Sequence, residues 1–149
     1  MTKSDEAYQS FMSRFTCSAA VFSAFSEDLG LDPAMAKRIA CGFGAGISKT
    51  GNICGAVSGA IMVIGLRYGK AEAADEAATE KTRALVRQFI REFTAKNGSV
   101  SCTRLLGYNL GDPDDYEAAR ASGVFTSTCP ALVRDAADIL EEILGQGPG

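Results

Sequence analysis

The 149-residue chain contains no histidine. Without imidazole it cannot build a Ser–His–Asp or Cys–His relay, supply a histidine ligand to zinc, or attach haem through C-x-x-C-H. Cysteine and carboxylate remain as the side chains available for chemistry. A basic stripe is missing as well. The formal net charge is −3, and the aromatics fall at helical core spacing rather than on an exposed stacking face, so no nucleic-acid partner is expected. The amino terminus, MTKSDEAYQSF, is polar and charged where a secretion signal needs an apolar run, so a cytoplasmic location with reduced thiols is expected. No stretch alternates apolar and polar residues long enough for a strand, and there is neither a C-x-x-C nor a closely spaced ferredoxin-type cysteine run.

Helical periodicity runs through almost the whole sequence. Tyr8, Phe11, Met12 and Phe15 share one helical spacing, and Val21, Phe25 and Leu29 continue it as far as Gly30. Thr16 could cap a second helix at Cys17, or the two could run on as one. Asp32 and Pro33 form a helix start, followed by Ala36, Ile39, Ala40 and Phe43 on one side. The stretch NICGAVSGAIMVIGLRY, residues 52–68, is apolar nearly all round. It reads as a central helix buried on several sides and too short to span a membrane. Its small-residue side, Gly55, Ala56, Gly59 and Ala60, predicts close packing by another backbone. A long amphipathic helix with a Leu85, Val86, Phe89, Ile90 and Phe93 stripe ends at Asn97–Gly98. The short SCTRLLGY comes next, then a helix started by Asp112–Pro113. A last helix, CPALVRDAADILEEIL, precedes the frayed tail GQGPG. The expectation is one all-α domain over residues 1–149, a compact bundle of about six to seven helices around the buried central one.

The glycine-rich GFGAGISKTGNICG, residues 42–55, resembles a phosphate cradle only superficially. In Ser48-Lys49-Thr50-Gly51 the lysine falls outside the P-loop register, and Gly42-Phe43-Gly44-Ala45-Gly46 neither matches G-x-G-x-x-G nor follows a strand. It is expected to be a tight turn between packed helices that delivers Cys54. The acidic cluster Asp112, Asp114, Asp115 and Glu117 lacks EF-hand spacing and reads as dipole-complementing residues at a helix start.

Five cysteines in a reducing compartment read more readily as metal, cluster or redox residues than as a disulfide framework. Cys17, Cys54, Cys102 and Cys129 are each expected at or near a helix start, where free amides and the helix dipole favour thiolate. Cys41, between Ala40 and Gly42, is expected inside a helix as a core residue, an alternative ligand or a resolving thiol. If the four helix starts converge they make a pocket for a cationic metal or an iron–sulfur cluster. The structural alternative is that cysteine serves as a small buried apolar residue.

Four segments carry a resemblance: CSAAVFSAFSEDLGLD, ACGFGAGISKTGNICGAVSGAIMVIGLRYG, GSVSCTRLLG and CPALVRDAADILEEIL. In these the chain resembles the C_GCAxxG_C_C family of redox-active proteins, whose signature cysteines fall on Cys17, Cys54, Cys102 and Cys129. The label's Gly-Cys-Ala stands here as Cys54-Gly55-Ala56, and Cys41 lies outside the label. The resemblance implies an all-helical redox domain. It is also similar to the part of split-Soret cytochromes in which four cysteines hold a [2Fe–2S] centre, without any counterpart of the haem part.

The leading expectation is therefore an iron–sulfur cluster, [2Fe–2S], held by those four cysteines for electron transfer or redox sensing with an unidentified redox partner. Zinc bound by the same thiolates, a cofactor-free dithiol/disulfide pair such as Cys41 with Cys54, and a structural domain with inert cysteines are the alternatives. The small-residue helix face and the analogy with the cytochromes suggest a homodimer.

Overall fold

The computed structural model describes residues 1–145; the expected tail beyond Gly145 lies outside the described residues. Among the described residues there are eight α-helices: α1 Lys3–Met12, α2 Cys17–Ser26, α3 Pro33–Ala40, α4 Gly55–Tyr68, α5 Glu76–Asn97, α6 Cys102–Leu106, α7 Pro113–Ser122 and α8 Val124–Leu144. The protein is all-α. The eighth helix beyond the expected six to seven is α6, a single turn too short to announce itself by periodicity.

Local chemistry accounts for most of the boundaries. Thr16 accepts a hydrogen bond from the Ala19 amide and starts α2, while Arg14 at φ +76° breaks the chain after α1, so α1 and α2 are separate helices. Asp32 and Asp112 each cap a helix that carries proline in its first turn. Asp115 also accepts from the Asn109 amide, so two members of the acidic cluster act as backbone caps. Gly98 takes the left-handed conformation that ends α5.

Helix α4 lies at the centre, with Ala56, Val57, Ala60, Val63 and Ile64 essentially inaccessible. Its small-residue side is covered by α2: a Cβ added at Gly59 would stand 2.6 Å from the Ser18 carbonyl oxygen. That face is therefore occupied within the chain. Helices α5 and α8 close the other side through the stacked rings of Phe89 and Phe93, 5.8 Å between centroids, and the buried row Val133, Ala136, Leu140 and Ile143.

Two expected core faces differ from the structure. On α3 only Ala36 and Ala40 are buried, and Ile39 and Phe43 face outward. The two alanines let α3 approach α2 so closely that the buried Ser18 hydroxyl donates to the Ala40 carbonyl at 2.7 Å, which leaves the flanking large side chains outside. On α1 the buried positions are Ser4 and Ala7, with Phe11 partly covered, while Met12 and Phe15 are exposed because the helix ends at Met12.

Candidate functional site

The cysteine end of the molecule is built from turns. Residues 45–49 all take positive φ: Ala45 57°, Gly46 66°, Ile47 67°, Ser48 51° and Lys49 64°. A left-handed run of this length is costly for L-residues, most of all for a β-branched one, and persists only where surrounding contacts impose it. Those contacts are visible. The Asn52 amide donates to the Gly46 carbonyl at 2.8 Å, the Thr50 hydroxyl donates to the same oxygen at 2.7 Å, and the Ser48 hydroxyl donates to the Gly42 carbonyl at 2.7 Å. Gly46 has no room for a side chain, since a Cβ there would lie 2.8 Å from the Cys102 Cβ.

After this run the chain pairs briefly with the segment before α6. An isolated antiparallel bridge joins Ile53 and Ser101, with the Cys54 amide donating to the Val100 carbonyl at 2.8 Å and the Cys102 amide to the Asn52 carbonyl at 2.7 Å. This pairing fixes Cys54 and Cys102 beside each other. On the far side, Cys17 abuts the residue after Cys54, and a Cβ added at Gly55 would overlap the Cys17 sulfur.

All five cysteines are free thiols, and all five line one cavity of about 330 Å³. Its remaining wall is largely apolar, with Phe11, Leu106, Phe125 and Leu132 among the lining residues. Lys49 also lines it, with its ammonium 4.1 Å from the centre of the Tyr116 ring. Three of the four expected helix-start positions hold: Cys17 opens α2, Cys54 is the N-cap of α4 and Cys102 opens α6. Cys129 does not. It lies in the second turn of α8, because the Gly123 carbonyl already accepts from the Thr126 and Ser127 amides and starts the helix upstream of Pro130. Cys41 stands in a short turn after α3, exposed at the edge of the cavity instead of inside a helix core.

Burial outweighs the helix-terminus effect on these thiols. Desolvation raises Cys17, against backbone hydrogen bonding from Ala45, Ser18, Gly55 and its own amide that favours the thiolate. Cys54 is pushed well above the ordinary thiol range by burial and by the charge of Cys17, with the Ala56 and Val57 amides opposing. Burial and Cys17 raise Cys102 to about 11, and burial, Cys17 and Cys102 raise Cys129 to about 12. The expectation of thiolates at helix starts is therefore corrected: the helix amides are present, but desolvation dominates. Cys17 thus raises each of the other three thiols, and Cys102 raises Cys54 and Cys129. Among the described residues no three His, Cys, Asp or Glu side chains converge closely enough to hold a single metal ion.

What could not be read from the sequence is the left-handed run and the bridge, since both depend on contacts between distant segments. No helix among the described residues is long and apolar enough to cross a membrane. No curated protein and no solved structure matches the chain. The sequence model of the family described as "Putative redox-active protein (C_GCAxxG_C_C)" matches residues 15–143, a span that contains all five cysteines. The chain belongs to this C_GCAxxG_C_C family.

Proposed function

We propose that the chain is an iron–sulfur protein in which Cys17, Cys54, Cys102 and Cys129 hold a [2Fe–2S] centre for electron transfer or redox sensing. The observation that carries this reading is that these four thiols line one cavity, beside backbone amides at Cys17 and Cys54 that favour negative sulfur. Thiols kept neutral by burial are poor nucleophiles, yet cations in the cavity would draw off their protons and be held by the resulting thiolates. The amides around Cys17 and Cys54 would then disperse the negative charge of the assembly.

A cluster and a single ion ask different things of the four cysteines. Tetrahedral zinc needs four sulfurs about 2.3 Å from one centre, and no group of three donors is drawn together in that way. A [2Fe–2S] cluster would ask for two protein thiolates at each iron, which Cys17, Cys54, Cys102 and Cys129 would supply. The dithiol/disulfide alternative needs an accessible, acidic thiol, and burial opposes that at Cys54 and Cys102. When bound, the cluster supplies one-electron chemistry. The four cysteines would hold it, Phe11, Leu106, Phe125 and Leu132 would shield it from water, and the amides of Ala45, Ala56 and Val57 would face the ligating Cys17 and Cys54 sulfurs.

Anaerobic purification with a visible spectrum and iron and sulfide analysis tests the reading. Iron and sulfide should be present together and be lost together in Cys54→Ser. Gly55→Ala, which keeps every thiol but pushes the Cys17 sulfur aside, should reduce both. Folded, metal-free protein that forms a reversible disulfide would overturn the proposal in favour of thiol chemistry.

A further inference from the structure

One formal charge borders the thiol cavity. Among the described residues Lys49 is the only lysine, arginine, aspartate or glutamate that lines it; its neighbours on the wall are thiols, apolar side chains, glycines and the hydroxyls of Thr16, Ser48 and Tyr116. The ammonium is held there by aromatic groups. It stands 4.1 Å from the centre of the Tyr116 ring, which lies 5.6 Å from the ring of Phe125, and all three residues line the cavity. A cation over an aromatic face is anchored without being neutralised.

The acidic start of α7 lies next to Tyr116 in sequence but does not take up this charge. Asp112 and Asp115 accept from the Asp115 and Asn109 amides, and Glu117 pairs with Arg120 at 2.7 Å. No ion pair among the described residues includes Lys49. Its backbone is left-handed at φ +64°, a conformation that glycine adopts at lower cost, so a charged side chain stands where the local fold favours none. The turn that bears it is tied to α6 by the Thr103 hydroxyl, which donates to the Gly51 carbonyl at 2.8 Å.

We propose that Lys49 is the charge-selecting residue of the cavity: its ammonium, held over Tyr116, favours negatively charged occupants and stabilises the more negative state of a redox centre bound there. The second half rests on the iron–sulfur reading; the first does not. A cation at the edge of an apolar cavity acts on charge inside it, because low-dielectric walls focus its field. A [2Fe–2S] centre on four thiolates is a net anion, and an electron accepted from an external one-electron donor adds one further unit of negative charge. Lys49 therefore stabilises the reduced state more than the oxidised one and raises the reduction potential. Because Lys49 is exposed, solvent screening keeps the effect modest.

Two measurements test this, one of them on metal-free protein. Cys41 is exposed, lines the same cavity and is linked to the Lys49 turn by the Ser48 hydroxyl donating to the Gly42 carbonyl, so it serves as the reporter. Its rate of mixed-disulfide formation is compared for a dianionic bis(nitrobenzoate) disulfide and a neutral dipyridyl disulfide. Lys49→Gln should slow the anionic reagent about threefold and leave the neutral one unchanged, with the difference shrinking as salt rises. Lys49→Arg should restore the parent rates. Arg87→Gln, on the exposed side of α5 and away from the cavity, removes the same charge and should change neither. In protein that carries iron and sulfide, Lys49→Gln should shift the reduction equilibrium about threefold toward the oxidised state, a fall of about 30 mV at about 59 mV per tenfold for one electron. Equal rates for Lys49→Gln and parent with the anionic reagent, or an unchanged potential in the loaded protein, would overturn the proposal. Absence of iron and sulfide from the parent protein would instead refute the cluster reading, and the reagent comparison would still decide the role of Lys49.

Discussion

The two ends of α4 are built on different principles. Toward Tyr68 the helix is surrounded by long helices whose large side chains interlock, with Phe89, Phe93, Ile64 and Leu140 fully buried. Toward Cys54 it meets turns, a two-residue bridge and a left-handed run, packed around a cavity. The first end is held by apolar area and the second by backbone hydrogen bonds that impose an unfavourable conformation. Stability concentrates in one and candidate chemistry in the other, so substitutions can separate them.

The largest separation is expected from Phe89→Ala. Truncating a fully buried aromatic ring costs about 3–5 kcal/mol through lost transfer energy and the cavity left behind. Phe89 is inaccessible and stacked on Phe93. Urea unfolding should show a loss of that order, while thiol accessibility in the folded state, read by reaction with a small disulfide reagent, stays as in the parent protein. An equally large rise in Cys54 or Cys102 reactivity under native conditions would show that the two ends unfold as one unit.

Next in size is the response of the metal-free protein to alkali. The unfolded chain ionises its thiols near the ordinary value of 9.0, whereas the folded protein keeps Cys102 protonated to about 11 and Cys129 to about 12. Between those limits the native state binds more protons than the unfolded state, so stability is intact below pH 9 and falls as pH rises. The slope approaches about 1.4 kcal/mol per pH unit for each such thiol. Urea midpoints measured from pH 8 to pH 11 should fall accordingly, with a shallower decline in Cys102→Ser. A flat profile would mean that water reaches these sulfurs in the folded state. The same linkage makes metal uptake release protons and strengthen as pH rises.

How much of this was legible in the sequence follows the same division. The stripe of α5 predicted a buried face that includes Phe89 and Phe93, and the all-round apolar character of residues 52–68 predicted the central place of α4, because apolar surface has one low-energy use whatever the partner helix. Asp32, Gly98 and Asp112 marked helix ends because capping is decided within a few residues. Ile39 and Phe43 misled for the opposite reason. Alanine at 36 and 40 allowed an approach too close for larger neighbours to share, and periodicity carries no information on interhelix distance. Cys129 misled because Cys129–Pro130 reads as a helix start, whereas α8 begins at Val124 after Gly123 and carries Pro130 inside it. The grouping of the cysteines had no local spacing to announce it; the bridge between Ile53 and Ser101 sets Cys54 beside Cys102, the missing side chain at Gly55 admits Cys17, and α8 brings Cys129 to the same cavity.

The smallest effect tests the division most directly, because one substitution should carry opposite signs at the two ends. In α5, Ala84 is exposed within a right-handed helix, and Ala84→Gly should destabilise by about 1 kcal/mol through lost helix propensity. At Ala45, φ +57° crowds Cβ against its own backbone at a cost of about 1–2 kcal/mol, which glycine removes. Greater freedom of glycine in the unfolded chain returns about 0.5–1 kcal/mol of that gain. The net effect of Ala45→Gly should therefore be a stabilisation of up to about 1.5 kcal/mol, seen as a rise in the urea midpoint at unchanged slope. The Ala45 amide beside Cys17 is retained in glycine, so Cys17 reactivity should not change with it. Destabilisation at both alanines would mean that the Ala45 methyl contributes more by packing against the half-open cavity than the left-handed backbone costs. The run would then be held by side-chain burial, like the rest of the bundle, and the contrast between the two ends of α4 would disappear.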